Sequence, residues 1–201
     1  MSKIRITPNA SGTGTITLQA PNTNTNRTVT LPDEDVTLGG GGGGGITMAD
    51  HWRLTADRNF VAADTLEFIT ANWERSDSTA YGQLGTGMTE SSGVFSFPET
   101  GIYVIIAEAD ALDTGGTWER ITFSLHVTTN NSTFTSISEK RGGTLGSRSI
   151  PYSITAIIDV TDVSNIKFKF GVEQKQYHTG DIRGDTNVTL TGFTVIRLGD
   201  T

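Results

Sequence analysis

The three histidines of the chain, His51, His126 and His178, are its first candidates for acid–base or metal chemistry, because it contains no cysteine. A metal centre needs several ligands at suitable spacing, and a catalytic histidine needs a nucleophile to activate. No histidine here has a carboxylate at metal-ligand spacing, and no serine lies in a Gly-x-Ser-x-Gly turn. His126 falls on the polar side of a predicted strand and is expected at the surface, whereas His178 is expected in a loop. These patterns predict a protein that is not an enzyme and that needs no metal or cofactor.

Glycine-rich and acidic stretches could instead bind ions. The run Gly39–Gly45 is followed by Ile-Thr rather than by the Gly-Lys-Ser/Thr of a phosphate loop, and GQLGTG (82–87) precedes no predicted helix. DEDV (33–36) and GDIRGD (180–185) could hold calcium through clustered oxygens, although solvated turns are the simpler interpretation. The Arg-Gly-Asp tripeptide inside GDIRGD is short enough to arise by chance, so we assign it no adhesion role.

The composition argues against several classes of partner. The formal net charge of −7 disfavours nucleic acid, and no apolar run approaches the roughly 20 residues of a membrane-spanning helix. The basic stretch EKRGGTLGSR (139–148) is interrupted by glycines and has no aromatic residue to stack on bases, so it is predicted to be a solvated loop. The opening MSKIRITPNA lacks the apolar stretch of a secretion signal. We therefore expect the protein to stay in the cytoplasm unless it leaves as part of a larger assembly.

The sequence divides into a threonine-rich start and an aromatic-rich remainder, separated by seven glycines. All 16 aromatic residues lie between Trp52 and Phe193. This predicts three parts: an N-terminal segment (1–38), a glycine linker (39–45) and a head domain (46–201). We expect the linker to act as a flexible hinge through Gly39, Gly42 and Gly45, because glycine is the residue with the greatest conformational freedom. The alternative is an ordered glycine segment packed against copies from sister chains.

The N-terminal segment is predicted to form short strands that cannot be stable alone. Apolar residues alternate with polar ones in four short stretches that are separated by turn clusters such as APNTNTN. Without an aromatic residue these strands bury little surface, so we expect them to order only on a partner or on their own copies. The residues predicted to make such docking contacts are Ile4, Ile6, Ile16, Leu18, Val29 and Leu31.

The head domain is predicted to be an all-β antiparallel sandwich, most simply a jelly roll of about eight to ten strands. RITFSLHV (120–127) and NIKFKFGV (165–172) alternate apolar and polar residues, and glycine-rich turns separate such stretches. No segment keeps the apolar spacing of a helix. In RITFSLHV the apolar residues are expected to point inward and the polar residues outward.

Two strands are apolar on both faces, which predicts a subunit interface. In GIYVIIAEADA (101–111), Ile102, Val104 and Ile106 lie on one face, and the residues between them are apolar as well. In the C-terminal strand, Ile196 and Leu198 point away from the apolar Phe193 and Val195. Because a sandwich sheet has only one inner face, the second face needs another cover. We expect this cover to be a neighbouring subunit, the alternative being a helix or loop of the same chain. The residues predicted to form the interface are Tyr103, Ile105, Ala107, Phe193 and Val195.

The stretch GVFSFPETGIY (93–103) resembles the signature of the complement 1q-like and tumour-necrosis-factor-like trimeric jelly rolls. The matching positions are Phe95, then Gly101 after five residues, then Tyr103. LTGFTVIRL, near the C-terminus, is similar to the last strand of that family. The resemblance covers roughly residues 50–201 and implies a homotrimer.

The first 33 residues resemble the openings of virion proteins from tailed bacteriophages. This resemblance implies a non-enzymatic protein of the virion surface, assembled in the host cytoplasm, whose residues 1–38 dock on virion proteins such as the major capsid or tail protein. It would act as a capsid decoration (cement) protein or as a short head or tail fibre. In a fibre, the loops 113–119, 139–149 and 174–187 would contact host surface glycans. The competing hypothesis is a free-standing trimeric ligand-binding module, for instance a lectin-like one.

Overall fold

A computed structural model of the chain describes residues 11–13, 15, 17, 24–26, 28, 45–60, 62–113, 117–145, 149–175 and 180–201. The chain separates into two compact units, Met1–Gly41 and Gly42–Thr201. The residues described in the first unit are exposed to solvent. The six docking residues predicted in this segment, together with Gly39 and Gly42, lie outside the described residues, whereas Gly45 is described and is exposed.

The described part of the second unit consists of β-strands and connecting turns, with no helix. The described residues form thirteen strands: β1 (Ala49–Leu54), β2 (Arg58–Asn59), β3 (Leu66–Phe68), β4 (Trp73–Arg75), β5 (Thr89–Ser91), β6 (Val94–Ser96), β7 (Gly101–Asp113), β8 (Thr117–Thr128), β9 (Thr135–Leu145), β10 (Ser149–Val160), β11 (Lys167–Lys175), β12 (Gly180–Ile182) and β13 (Gly192–Gly199). The number exceeds the expected eight to ten because six of them contain only two or three residues.

The strands form two antiparallel sheets. Sheet A follows the order β2-β12-β7-β13-β1-β4, and β10 pairs with the other edge of β7. Sheet B follows the order β5-β6-β11-β8-β9, with β3 also paired to β11. The neighbours in each sheet are mostly distant in sequence, as in a jelly roll. The prediction of an all-β antiparallel jelly roll is therefore confirmed.

The core lies between the two sheets and is built largely of aromatic rings. Phe193 of β13 projects from sheet A, and its ring centroid lies 4.6 Å from that of Phe95, 5.4 Å from Phe168 and 5.1 Å from Phe170, all of sheet B. Each of these four side chains is at most 1% exposed. Edge-to-face and offset contacts of this kind stabilise aromatic pairs beyond their burial alone.

The prediction of a solvated loop at 139–148 is wrong for most of this stretch, because Glu139–Leu145 belong to β9. This segment pairs with β8, where Arg141 lies opposite Thr122 and Glu139 lies opposite Ser124. Gly142 allows the close packing, since a Cβ there would lie 3.1 Å from the hydroxyl oxygen of Tyr152. The glycines that suggested a loop thus permit a strand to lie against a tyrosine.

Candidate functional site

The five side chains predicted for the subunit interface face the core of the chain instead. Tyr103, Ile105, Ala107, Phe193 and Val195 are each at most 1% exposed within a single chain. Ile105 lies opposite Val195, and Ala107 lies opposite Phe193, so these residues share one face of sheet A, the face that packs on sheet B. They have no accessible surface to offer a neighbour. Sequence reasoning identified the two-faced strands but chose the wrong face.

The resemblance motif has a structural role in the same region. Phe95 is fully buried, and the Tyr103 hydroxyl donates a hydrogen bond to the Glu99 carbonyl oxygen at 2.9 Å. Gly101 has a φ of 149°, and a Cβ at this position would lie 2.6 Å from both Arg197 Nε and the Gly199 carbonyl oxygen. Only glycine fits there, which explains the spacing of the motif through packing and not through binding.

The opposite face of sheet A, its outer face, carries two rows of uncharged side chains across four strands. Directly opposed residues of antiparallel strands point to the same side of the sheet, so the strand register defines each row. We call these eight residues the central rows. The first row is Ile157, Val104, Ile196 and Ala49, and the second is Thr155, Ile106, Thr194 and His51.

The central rows are open to solvent at their apolar positions. Ile157 is 68% exposed and Ile106 is 46% exposed, and the other six members are partly or fully exposed as well. Leu198, Ile46 and Leu84 are further exposed apolar side chains of the domain, each about half accessible. The first row is apolar across all four strands, and exposed apolar surface of this kind marks interaction sites, so the central rows are the strongest candidate for a binding surface.

His51 occupies the end of the second row and is held by two threonine hydroxyls. Its Nδ1 lies 2.9 Å from Thr194 Oγ1, and its Nε2 lies 3.0 Å from Thr189 Oγ1. The Tyr81 ring stacks on the imidazole at 4.8 Å, and the Tyr81 hydroxyl lies 3.2 Å from the same Thr189 oxygen. Burial lowers the pKa of His51, as does Arg53, whereas Asp50 opposes the change. The ring is therefore fixed in orientation and favoured in its neutral form.

A depression of about 170 Å³ lies beside His51 on the outer face, where Ile106, Glu108, Ser153 and Thr194 contribute to its lining. Its polar groups could accept or donate hydrogen bonds, and Ile106 gives it an apolar wall. The volume is enough for one side chain of a partner.

Charged groups border the central rows without entering them. Next to His51, Arg53 is only 1% exposed because Glu74, Asp77 and Ser78 bind its guanidinium at 2.6–2.8 Å. At the other end of the face, Asp159 lies opposite Ile102. An uncharged centre with a charged border is the usual distribution in a protein interface.

His126 is buried, which corrects the expectation of a surface histidine. It is 5% exposed on the outer face of sheet B, where Phe68 of β3 contacts it edge-on at a centroid distance of 5.1 Å. Ser124 Oγ lies 2.9 Å from His126 Nε2 and donates to the Gly171 carbonyl oxygen, so Nε2–H is the donor to Ser124. Nδ1 has no hydrogen-bond partner among the described residues. Burial, together with the nearby Lys169 ammonium, lowers the pKa of His126, and Glu139 opposes this change.

The ion-binding motif GDIRGD (180–185) has a structural role, since Gly180–Ile182 form β12 and the remaining residues begin the loop that follows. Asp185 Oδ1 accepts hydrogen bonds from the Asn187 and Val188 backbone amides, and these bonds hold its pKa below the ordinary value. Gly184 donates its amide hydrogen to Asp57 Oδ1 at 2.9 Å. The Arg-Gly-Asp tripeptide is thus held by hydrogen bonds within its own loop and to Asp57. Among the described residues no group of three or more acidic or histidine side chains could hold a metal ion, and His178 and DEDV (33–36) lie outside them. In the same part of the chain, no helix is long and apolar enough to cross a membrane.

Sequence reasoning missed His51 as a member of the outer face, although a signal was present. The stretch ADHWRL alternates, so Ala49, His51 and Arg53 share one side while Asp50 and Trp52 share the other. Which of these sides is the outer one depends on the pairing of β1 with β13, and that pairing joins segments about 140 residues apart.

Comparison with known proteins identifies the fold. The chain is similar in structure to Eiger TNF from S. frugiperda, with a TM-score of 0.55 and 13% identity over 78% of this chain and 95% of that chain. It is also similar to murine APRIL at pH 5.0, with a TM-score of 0.50 and 8% identity over 75% of this chain and 98% of that chain. No protein-family model and no curated protein sequence matches the chain. The domain therefore has a TNF-like jelly-roll fold.

Proposed function

We propose that the protein is a non-enzymatic module that assembles with two further copies of itself through the outer face of sheet A. The observation that carries this proposal is the pair of central rows, which are uncharged and expose Ile157 and Ile106 to solvent. Covering such a surface removes apolar area from water, which is the main driving force of stable association. The stoichiometry of three rests on the resemblance to trimeric jelly rolls.

The biological setting that we propose is the surface of a tailed-phage particle. The resemblance of the first 33 residues to virion proteins supports this setting, with residues 1–38 as the docking segment on capsid or tail proteins. Three such segments on one trimer would bind together, so each could be weak and the trimer would still be held firmly. A decoration protein and a short fibre fit this arrangement equally well, and only a fibre would use its loops on host glycans.

The assembly is tested by measuring the mass of the purified full chain by light scattering at micromolar concentration. We expect a trimer, and we expect Ile106→Glu with Ile157→Asp to give a monomer, because these changes place charges in the central rows. Ile137→Asp is the matched control, since Ile137 is 50% exposed but lies on β9 of sheet B. A monomeric wild-type chain, or equal dissociation by the control, would contradict the proposed surface.

The setting is tested separately by immunogold labelling of phage particles whose genome encodes the chain. Labelling at the capsid would identify a decoration protein, and labelling at the tail or at a vertex would identify a fibre. A trimer that labels no part of the particle would leave the free-standing ligand-binding module as the better hypothesis.

A further inference from the structure

His51 is the one ionisable side chain in the central rows. The other seven members are Ile157, Val104, Ile196, Ala49, Thr155, Ile106 and Thr194, none of which carries a charge at any ordinary pH. If this face is covered by a second copy, His51 is the only member of the rows whose charge can change. Burying an unpaired charge in an interface is strongly unfavourable.

The charged groups around His51 are already engaged by other partners. On its own strand, Asp50 accepts from Arg75 Nε of β4 at 2.8 Å, and Arg53 donates to Glu74 of β4 at 2.8 Å. On β7, Glu108 lines the same depression as His51 and is exposed. Glu108 has no ion pair among the described residues, and it is the carboxylate of this depression that could offset a charge on His51.

The contacts of His51 within the chain tolerate both protonation states. Both ring nitrogens face threonine hydroxyls, Thr194 on one side and Thr189 on the other, and a hydroxyl can either donate or accept. Protonation therefore breaks no hydrogen bond in the separate chain, where the half-buried ring also meets solvent. In an assembly the same charge would lie against the apolar rows of another copy. Burial already lowers the pKa of His51 in the separate chain, so its protonation also costs some folding free energy, and covering the face would add a further cost to association.

We propose that His51 makes the self-association acid-sensitive, so that its protonation separates the copies. This inference rests on the proposed function, because it needs the outer face of sheet A to be the interface. Linkage sets the size of the effect: with an ordinary histidine pKa of about 6.5, excluding the proton from the assembly weakens association at pH 5.5 by at most about tenfold per subunit. For three subunits the upper limit is about a thousandfold, and the lowered pKa of His51 makes the effect smaller.

The test is the association constant of the full chain by sedimentation equilibrium at pH 7.5 and pH 5.5, at constant ionic strength. We expect weaker association at pH 5.5 for the wild type and a much smaller change for His51→Gln, which keeps a side-chain amide for the threonine hydroxyls. His126→Gln and His178→Gln are the controls and should keep the wild-type pH dependence. If His51→Gln does not fold, His51→Asn is the second variant, and the same loss of the pH dependence is expected for it.

The outcomes separate this inference from the proposed function. A wild-type chain that is monomeric at pH 7.5 overturns the proposed function and this inference with it. A chain that assembles at pH 7.5 but associates equally well at pH 5.5 overturns this inference alone. Stronger association at pH 5.5 would also overturn it and would indicate that Glu108 of one copy pairs with protonated His51.

Discussion

Replacing Phe193 by alanine distinguishes a core residue from an interface residue. The ring is 1% exposed and lies within 5.4 Å, centroid to centroid, of Phe95, Phe168 and Phe170. Removing it loses the burial of an aromatic side chain and leaves a cavity between the two sheets, which together cost about 3–5 kcal/mol. Since domains of this size are stable by about 5–15 kcal/mol, we expect Phe193→Ala to fold but to unfold much more readily.

The assay is urea unfolding followed by the fluorescence of the tryptophans, at a concentration where the chain is not assembled. With a slope of about 2 kcal/mol per molar urea, a loss of 3–5 kcal/mol lowers the midpoint by roughly 2 M. The matched control is Ile157→Ala, a larger-to-smaller change at a side chain that is 68% exposed in the same sheet. We expect the control to change the free energy of unfolding by no more than about 0.5 kcal/mol.

The reasoning would be refuted by the reverse pattern. If Phe193→Ala kept the wild-type midpoint but lowered the mass of the assembly, Phe193 would have to be exposed in the separate chain. The inner and outer faces of sheet A would then be assigned the wrong way round, and the central rows would not be the interface.

Three further results are expected from the same unfolding assay. Gly101→Ala should lower the free energy of unfolding by at least about 1–3 kcal/mol, because its Cβ would lie 2.6 Å from Arg197 Nε; an unchanged midpoint would show that the backbone shifts freely. Asp50→Ala should cost about 3–5 kcal/mol, since it leaves a guanidinium, an indole and a backbone amide without their shared acceptor; a loss below about 1 kcal/mol would contradict this. The pKa of His126 is lowered in the folded chain by burial and by Lys169, so the unfolded chain takes up the proton first. Its contribution to stability is therefore complete above about pH 6.5 and is lost as the pH falls from there to the folded-state pKa, with a slope of at most about 1.4 kcal/mol per pH unit. His126→Gln should flatten this dependence, and an equally steep curve in that variant would assign it to another group.

The alternation of apolar and polar residues was sufficient to predict the sheets but not the orientation of every strand. In β11, Phe168 and Phe170 point inward as the pattern indicates, because the alternating Lys167 and Lys169 leave only one apolar face. In β13 both faces are apolar, so Phe193 and Ile196 are equally plausible core residues by periodicity. The aromatic cluster on sheet B decides between them, and it assembles from segments far apart in the sequence.

The burial of the polar residues on β8 could not be predicted either, because it also depends on a contact between segments far apart in the sequence. Ser124 and His126 alternate with core residues and were expected to face solvent, yet they are 2% and 5% exposed. Leu66 and Phe68 of the short strand β3 lie over them, and a Cβ at Gly171 would come within 2.9 Å of Leu66 Cδ1. The three residues of β3 thus bury the polar side chains on the outer face of β8. No local pattern in β8 predicts a cover supplied by a strand more than 50 residues away.

The outer faces of the two sheets therefore differ: part of the face of sheet B is covered within the chain, whereas the central rows of sheet A are exposed. On sheet B, the polar strip around His126 is covered by Phe68 from the same chain, so it needs no partner. On sheet A, Ile106 and Ile157 are apolar and remain 46% and 68% exposed in the described structure. Since the free energy gained on covering a surface scales with its apolar area, the apolar row that crosses sheet A favours an intermolecular partner on that face. The asymmetry predicts that charge placed on sheet A dissociates the assembly, whereas charge placed on sheet B changes only the stability of the single chain.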